Sequence, residues 1–258
     1  DEEFKAFGRA AYPAMKNGEV VREQLRLCHK DGTCGWIEVG GGRLRPDSAE
    51  TMWALVDVTA RKLLEDKIKS MAFFDALTDL PNRRLLGDRL KQALATNRRS
   101  GKYGALMFID LDNFKPLNDS AGHDAGDLLL IEVGQRLTRC MRATDTVARV
   151  GGDEFVAMAC ELAGDLTAAE AQAKLIAEKV RQVIAVPYVL SIQHAGQSTA
   201  IIEHRCTASI GVTIFPQAIG EPEDYLKWAD LAMYHAKETG RNQVLFYSPW
   251  DTRRTAGA

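Results

Sequence analysis

The stretch Arg149-Val150-Gly151-Gly152-Asp153-Glu154-Phe155 sets two glycines between residues of strand type and follows them with two acids, before Val156, Ala157 and Met158 continue an apolar run. Glycine tolerates positive φ, so the pattern reads as a tight hairpin turn. Such a turn presents Asp153 and Glu154 beside a bare Gly-Gly backbone, where carboxylates and peptide N–H groups can meet a metal and a phosphate. Taken alone, the pattern fits an ordinary surface hairpin with two solvated acids better still. The distinction rests on whether the chain supplies partners for those acids.

Working outward, the hairpin strands are expected at about Thr146 to Val150 and Glu154 to Cys160. Upstream, Gly104 to Ile109 reads as a buried strand that ends abruptly in Asp110-Leu111-Asp112, and acids at a strand end stand at a sheet edge where a site can form. A polar, glycine-bearing segment from Asn113 to Asp127 leads to a helix with Leu130, Val133, Leu137 and Met141 on one face. Downstream come a helix from about Thr167 to Ala185, a hairpin and strand over Tyr188 to His194 and Ala200 to Phe215, a last helix from about Glu223 to Thr239, and a closing strand Val244 to Tyr247. The stretch Ser191 to Arg205 has no assigned role. This order, β-α-β-β-α-β with an added hairpin, predicts an antiparallel-centred sheet with helices on one face. In such a sheet the first strand and the central hairpin are neighbours, so Asp110 and Asp153 lie side by side. Two adjacent carboxylates repel unless a cation sits between them, and hard oxygen ligands favour Mg²⁺ or Mn²⁺. No G-x-x-x-x-G-K-[ST] loop occurs. Carboxylates on adjacent strands with metal ions suit nucleotidyl transfer, with Lys115, Lys237 and Arg241 as local cations for phosphates.

The totals bound the partners. A chain of 258 residues with net charge -2 gives no bulk attraction for nucleic acid. Cys28, Cys34, Cys140, Cys160 and Cys206 form no C-x-x-C pair, so they are expected as reduced thiols in a cytoplasmic protein. No apolar run approaches a membrane span, and any membrane part is expected outside this chain.

Gly151 to Phe155, with D-L-D-N-F-K-P-L-N-D from Asp110 to Asp119, G-H-D-A-G-D from Gly122 to Asp127, A-D-L-A-M-Y-H-A-K-E-T-G-R-N from Ala229 to Asn242 and the entry D-A-L-T-D-L-P-N-R-R from Asp75 to Arg84, resembles a GGDEF diguanylate cyclase over about Asp75 to Ser248. The resemblance implies a nucleotidyl-cyclase-like α+β fold, ferredoxin-like βαββαβ with an extra hairpin, and condensation of two GTP into cyclic di-GMP across a homodimer. It implies that Asp110, Asp153 and the Leu111 carbonyl bind Mg²⁺ or Mn²⁺, and that Asp153, supported by Glu154, deprotonates the ribose 3′-hydroxyl. Asn118 and Asp127 would read guanine. The N–H groups around Phe114 and Lys115 would hold phosphates, Lys115 would offset transition-state charge, Lys237 and Arg241, one helical turn apart, would clasp the outer phosphates, and Gly151 and Gly152 would leave room for the nucleotide. Pro116 removes one N–H from that segment. Arg142 and Asp145, an R-x-x-D upstream of the hairpin, would form an inhibitory site for the product.

Glu23 to Glu38 and the ending Ala54 to Lys62 resemble the C-terminal half of a PAS sensor domain, and the strands Val20 to Cys28, Cys34 to Val39 and Thr51 to Val58 read as a small antiparallel sheet. The expected organisation is therefore a PAS-like part over 1–59, a helical linker over 60–74 with Leu63, Leu64, Ile68 and Met71 in an apolar seam that joins two copies, and the catalytic domain over 75–258. Two other readings stay open: a catalytically silent cyclic di-GMP receptor and a PAS-led dimerisation module.

Overall fold

A computed structural model of the chain describes residues 2–28, 30–45, 50–192, 200–215 and 220–247, and it divides into two compact units, Asp1–Met71 and Ala72–Ala258. In the first, helix α1 (Glu2–Lys16) precedes strands β1 (Val21–Cys28), β2 (Cys34–Arg43) and β3 (Thr51–Asp57), which form an antiparallel sheet in the order β1-β2-β3. Phe7 and Ala11 of α1 pack on Leu25, Val39 and Trp53. The meander expected from the strand pattern is thus present. Helix α2 (Thr59–Phe73) starts where Asp57 Oδ1 accepts from the Thr59 N–H at 2.8 Å and Thr59 Oγ1 accepts from the Trp36 N–H at 2.8 Å, which pins the D-V-T ending to β2.

The cysteines depart from expectation. In the β1-β2 register Cys28 faces Cys34 directly, with Cα atoms 3.9 Å apart, and the pair forms a disulfide. Reduced thiols are seen only at Cys140, Cys160 and Cys206. The spacing gave no C-x-x-C signal because the pairing comes from the turn between the strands, which folds a six-residue separation back on itself.

The second unit continues with α3 (Arg83–Ser100), β4 (Gly104–Asp112), α4 (Phe114–Ala121), α5 (His123–Cys140), β5 (Thr146–Gly151), β6 (Glu154–Ala159), α6 (Leu166–Ala185), β7 (Tyr188–Ile192), β8 (Ala200–His204), β9 (Thr207–Phe215), α7 (Pro222–Glu238) and β10 (Val244–Phe246). Five strands form one sheet in the order β10-β9-β4-β6-β5, with β10 parallel to β9 and every other pair antiparallel. Strands β7 and β8 form the separate hairpin; residues 193–199 of the stretch left without a role lie outside the described residues.

Helices cover both faces of the sheet, not one. Side chains alternate along a strand: Ala105, Met107, Ile109 and Leu111 of β4 join a core with α5 and α6, whereas Leu106 and Phe108 join a second core with α3 and α7. Every residue of β4 is buried in consequence. That is the signature of a strand with two covered faces.

Gly211 sets the depth of one of those layers. A Cβ on this β9 residue would lie 2.0 Å from the Ala229 carbonyl oxygen and 2.2 Å from the Met233 nitrogen, so α7 rests directly on the strand backbone. The same contact fixes the level at which Lys237, near the end of α7, meets the sheet edge. Gly211→Ala is expected to lower the stability of this unit by about 1–3 kcal/mol through overpacking, measured as a reduced urea midpoint at unchanged m-value. An unchanged midpoint would show that α7 does not depend on this approach.

Candidate active site

The site is built at the end of β4. Asp110 pairs in register with Glu154 on β6 and with Ser209 on β9, and the Leu111 N–H donates to the Asp153 carbonyl at 3.3 Å, so the first strand and the hairpin turn are hydrogen-bonded neighbours. Asp110 is only 4% exposed. Its Oδ2 accepts from Lys237 Nζ at 2.6 Å, while Oδ1 is buried with no hydrogen-bond partner. Burial pushes its carboxyl up to about 6; the Lys237 contact opposes this, and the charges of Asp153 and Glu154 add to it. Glu154 is also raised, first by burial and then by Asp230, with Arg83 opposing. Three carboxylates therefore crowd one strand end with Lys237 as the ammonium in contact.

A buried carboxylate oxygen without a donor is costly. Among the described residues five buried side-chain N or O atoms lack a partner, and two of them, Asp110 Oδ1 and Asn118 Oδ1, belong to residues singled out from the sequence. Asn118 lies on α4 and is seated against α5 at Gly126, where a Cβ would come 1.9 Å from its Oδ1. Asp127, one residue on, is exposed on the first turns of α5.

Asn113, at φ 59, turns the chain out of β4 into α4, so Phe114 and Lys115 are the first residues of that helix. Their N–H groups have no intrahelical acceptor and can receive an anion. Pro116 occupies the third position, where the missing N–H breaks no helix bond. Lys115 is exposed beside them.

Lys237 and Arg241 differ from expectation. Lys237 is engaged with Asp110, and Arg241 is not on the helix at all: α7 ends at Glu238 and Arg241 follows Gly240 at φ 60. Arg142 and Asp145 share one turn, in which the Asp145 carboxylate accepts from the Arg142 N–H at 2.9 Å and the Cys160 N–H at 3.2 Å, with the Arg142 side chain exposed.

The residues that hold the turn were not singled out beforehand. Arg149 donates through Nε and Nη2 to the Gly152 carbonyl at 3.0 and 2.7 Å, and through Nη1 to Asp75 Oδ1 at 2.9 Å. Asp75 Oδ1 also accepts from the Thr78 N–H and hydroxyl, and the Arg149 N–H donates to the Pro81 carbonyl. The entry segment Asp75 to Pro81 is thereby clamped to the hairpin. Gly152 takes φ 44, and a Cβ on Gly151 or Gly152 would meet nothing within 4 Å, so the space beside the turn is open. The signal available in the sequence was the Arg two residues before the Gly-Gly pair together with D-A-L-T.

Among the described residues no group of three or more His, Cys, Asp or Glu side chains could by itself hold a metal ion, and no helix is long and apolar enough to cross a membrane. At the end of β4 the Asp110 carboxylate therefore stands beside the turn that carries Asp153, with Leu111 hydrogen-bonded to that turn through its N–H.

Comparison with known proteins agrees with this architecture. The family model described as the diguanylate cyclase GGDEF domain matches residues 72–243. The chain belongs to this family. It is 44% identical over 178 residues to the bifunctional diguanylate cyclase/cyclic di-GMP phosphodiesterase MucR of Pseudomonas aeruginosa, covering 69% of this chain and 24% of that protein. It is 36% identical over 181 residues to the diguanylate cyclase TpbB of the same organism, covering 69% of this chain and 39% of that one. It is also 39% identical to the cyclic di-GMP phosphodiesterase NbdA of that organism, covering 70% of this chain and 21% of that protein. The chain thus spans well under half the length of these relatives. Among solved structures, the GGDEF domain of TpbB superposes with a TM-score of 0.59 at 34% identity, covering 71% of this chain and 99% of that one. The fold is therefore the nucleotidyl-cyclase-like α+β fold.

The Asp75–Arg149 clamp makes a pH-dependent contribution. Burial raises the Asp75 carboxyl, but the Thr78 hydroxyl and N–H and the Arg149 guanidinium more than offset this and hold it below its ordinary value. A carboxyl lowered in the folded state stabilises above its unfolded pKa, and the contribution is lost as pH falls through the folded value. Wild type should therefore exceed Asp75→Ala in stability by about 1–3 kcal/mol near neutral pH, with the gap closing as the protein is acidified below about pH 4. A gap that stays constant on acidification would contradict the assignment.

Proposed function

We propose that the Ala72–Ala258 unit is a diguanylate cyclase that binds one GTP and, facing a second copy, condenses two GTP into cyclic di-GMP and two pyrophosphates. The observation that carries the reading is the buried Asp110 carboxylate with one oxygen unpartnered beside Asp153 and Glu154, which suits a divalent cation brought in with a nucleotide. Asp110, Asp153 and the Leu111 carbonyl would hold Mg²⁺ or Mn²⁺, which when bound supplies charge neutralisation at the phosphates and acidifies the attacking hydroxyl. Asp153, supported by Glu154, takes the proton of the ribose 3′-hydroxyl. The freed oxygen bonds to the α-phosphorus of the partner's GTP, and the bond to the pyrophosphate breaks. The Phe114 and Lys115 N–H groups and the Lys115 ammonium receive phosphate oxygens at the start of α4; Lys237 and Arg241 meet the outer phosphates. The unpartnered Asn118 Oδ1 and the exposed Asp127 carboxylate accept from guanine N1–H and N2–H₂, donors that adenine does not offer there. The open backbone at Gly151 and Gly152 leaves room for the nucleotide.

One unit holds half of a symmetric reaction, so pairing is part of the mechanism. Leu63, Leu64, Ile68 and Met71 of α2 are each at least 60% exposed, and they are proposed as the seam of a homodimer. The three-stranded unit before α2 is proposed as the C-terminal part of a PAS sensor domain over 1–59, with 60–74 as linker and 75–258 as the catalytic domain; its position in the cytoplasm follows from the need for GTP. Arg142 and Asp145 are proposed to bind cyclic di-GMP as an inhibitory site, in keeping with solved GGDEF-domain structures in complex with that nucleotide, such as DgcB from Caulobacter crescentus. A silent receptor remains the second reading, favoured by relatives named as phosphodiesterases.

Incubation with GTP and Mg²⁺ followed by chromatography separates the readings. Wild type is expected to release cyclic di-GMP, and Asp153→Ala at least about a hundredfold less. Absence of product from wild type would favour the receptor, and equal product from both would overturn the site.

A further inference from the structure

Asp112, the last residue of β4, is 4% exposed, and its carboxylate is fully occupied by protein. Oδ1 accepts from Ser209 Oγ at 2.7 Å; Oδ2 accepts from Thr207 Oγ1 at 2.7 Å and from the Asn242 N–H at 3.0 Å. The first two donors are on β9, already paired with β4. The third belongs to the connection between α7 and β10, 130 residues away in sequence. That connection passes through three positive-φ residues, Gly240 at 129, Arg241 at 60 and Asn242 at 44. Non-glycine residues avoid this region, and two in succession persist only where the surroundings over-determine them. Here the Arg241 N–H donates to the Ala236 carbonyl at 2.9 Å, Gln243 Nε2 to the same carbonyl at 2.8 Å, and Arg181 Nη1 to Asn242 Oδ1 at 2.8 Å.

We propose that Asp112 is a positioning residue that fixes the Gly240–Asn242 connection so that Arg241 is presented to the nucleotide phosphates, with Arg181 as the outer anchor. The inference rests on the reading of Arg241 as a phosphate ligand. An exposed cation meets a phosphate in one geometry only if its backbone is fixed beforehand. Asn at position 112 can preserve the arrangement, since its oxygen can accept from Thr207 and Asn242 while its amide donates to the Ser209 hydroxyl.

The test uses the whole chain with Mg²⁺ and 3′-deoxy-GTP, which lacks the attacking hydroxyl, for binding by calorimetry, and GTP for turnover. Asp112→Ala is expected to raise the Kd of 3′-deoxy-GTP and the KM of GTP about tenfold, with kcat within about twofold. Asp112→Asn should restore both, and in an Arg241→Ala background Asp112→Ala should add nothing. Independent, multiplying effects, or a fall in kcat at unchanged Kd, would overturn the inference. Should Asp112→Ala not fold, Arg181→Ala must weaken binding of 3′-deoxy-GTP in the otherwise unchanged chain but not in Arg241→Ala, and an Arg181→Ala protein that binds as tightly as wild type would overturn the proposal. Wild type that binds 3′-deoxy-GTP while Arg241→Ala binds it equally well overturns this inference alone. Wild type that fails to bind it overturns the functional reading as well.

Discussion

A carboxylate held out of water at the end of a fully buried strand is the constraint on which the rest of the second unit turns. Asp110 is reached by one ammonium, Lys237, and leaves one oxygen with no donor, while Asp153 and Glu154 press like charge against it. Such a group is costly in a resting protein. The fold sustains it because β4 is sandwiched between two helical layers whose packing is indifferent to the strand's polar end. Gly211 lets α7 settle on the sheet and so brings Lys237 within reach of the acid.

Two further polar assemblies hold the surroundings. The Asp75–Arg149–Gly152 clamp ties the entry segment to the hairpin turn, so the turn at Gly152 is held through Arg149 by Asp75, 74 positions upstream of that arginine. Asp112, two residues beyond Asp110, ties β9 and the connection after α7 to the same strand end. Neighbouring acids on β4 thus have different fates: one oxygen of Asp110 is left without a donor, and both oxygens of Asp112 are spent on the protein.

Much of this was legible in the sequence because it is local. The apolar run Gly104 to Ile109 ending in acid, the Gly-Gly turn and the β-α-β-β-α-β order lead directly to the adjacency of Asp110 and the hairpin. The second helical layer was readable too, since an unbroken apolar strand implies two covered faces, but β-α-β-β-α-β order suggests one. Long-range pairings were not legible. The partners of Asp112 lie at least 95 residues away, and nothing near D-L-D distinguishes its two acids. Arg241 could not be separated from the helix by spacing alone, because its departure depends on left-handed backbone that only the tertiary contacts stabilise. The Cys28–Cys34 disulfide likewise follows from strand register.

The central claim is that the unpartnered oxygen of Asp110 is a cation ligand. Electron paramagnetic resonance of Mn²⁺ with 3′-deoxy-GTP, comparing wild type with Asp110→Asn, tests it most directly, since the substitution keeps the shape and removes the charge. The account predicts that wild type immobilises the ion and that Asp110→Asn weakens its binding at least about tenfold. Equal immobilisation by both proteins would contradict it.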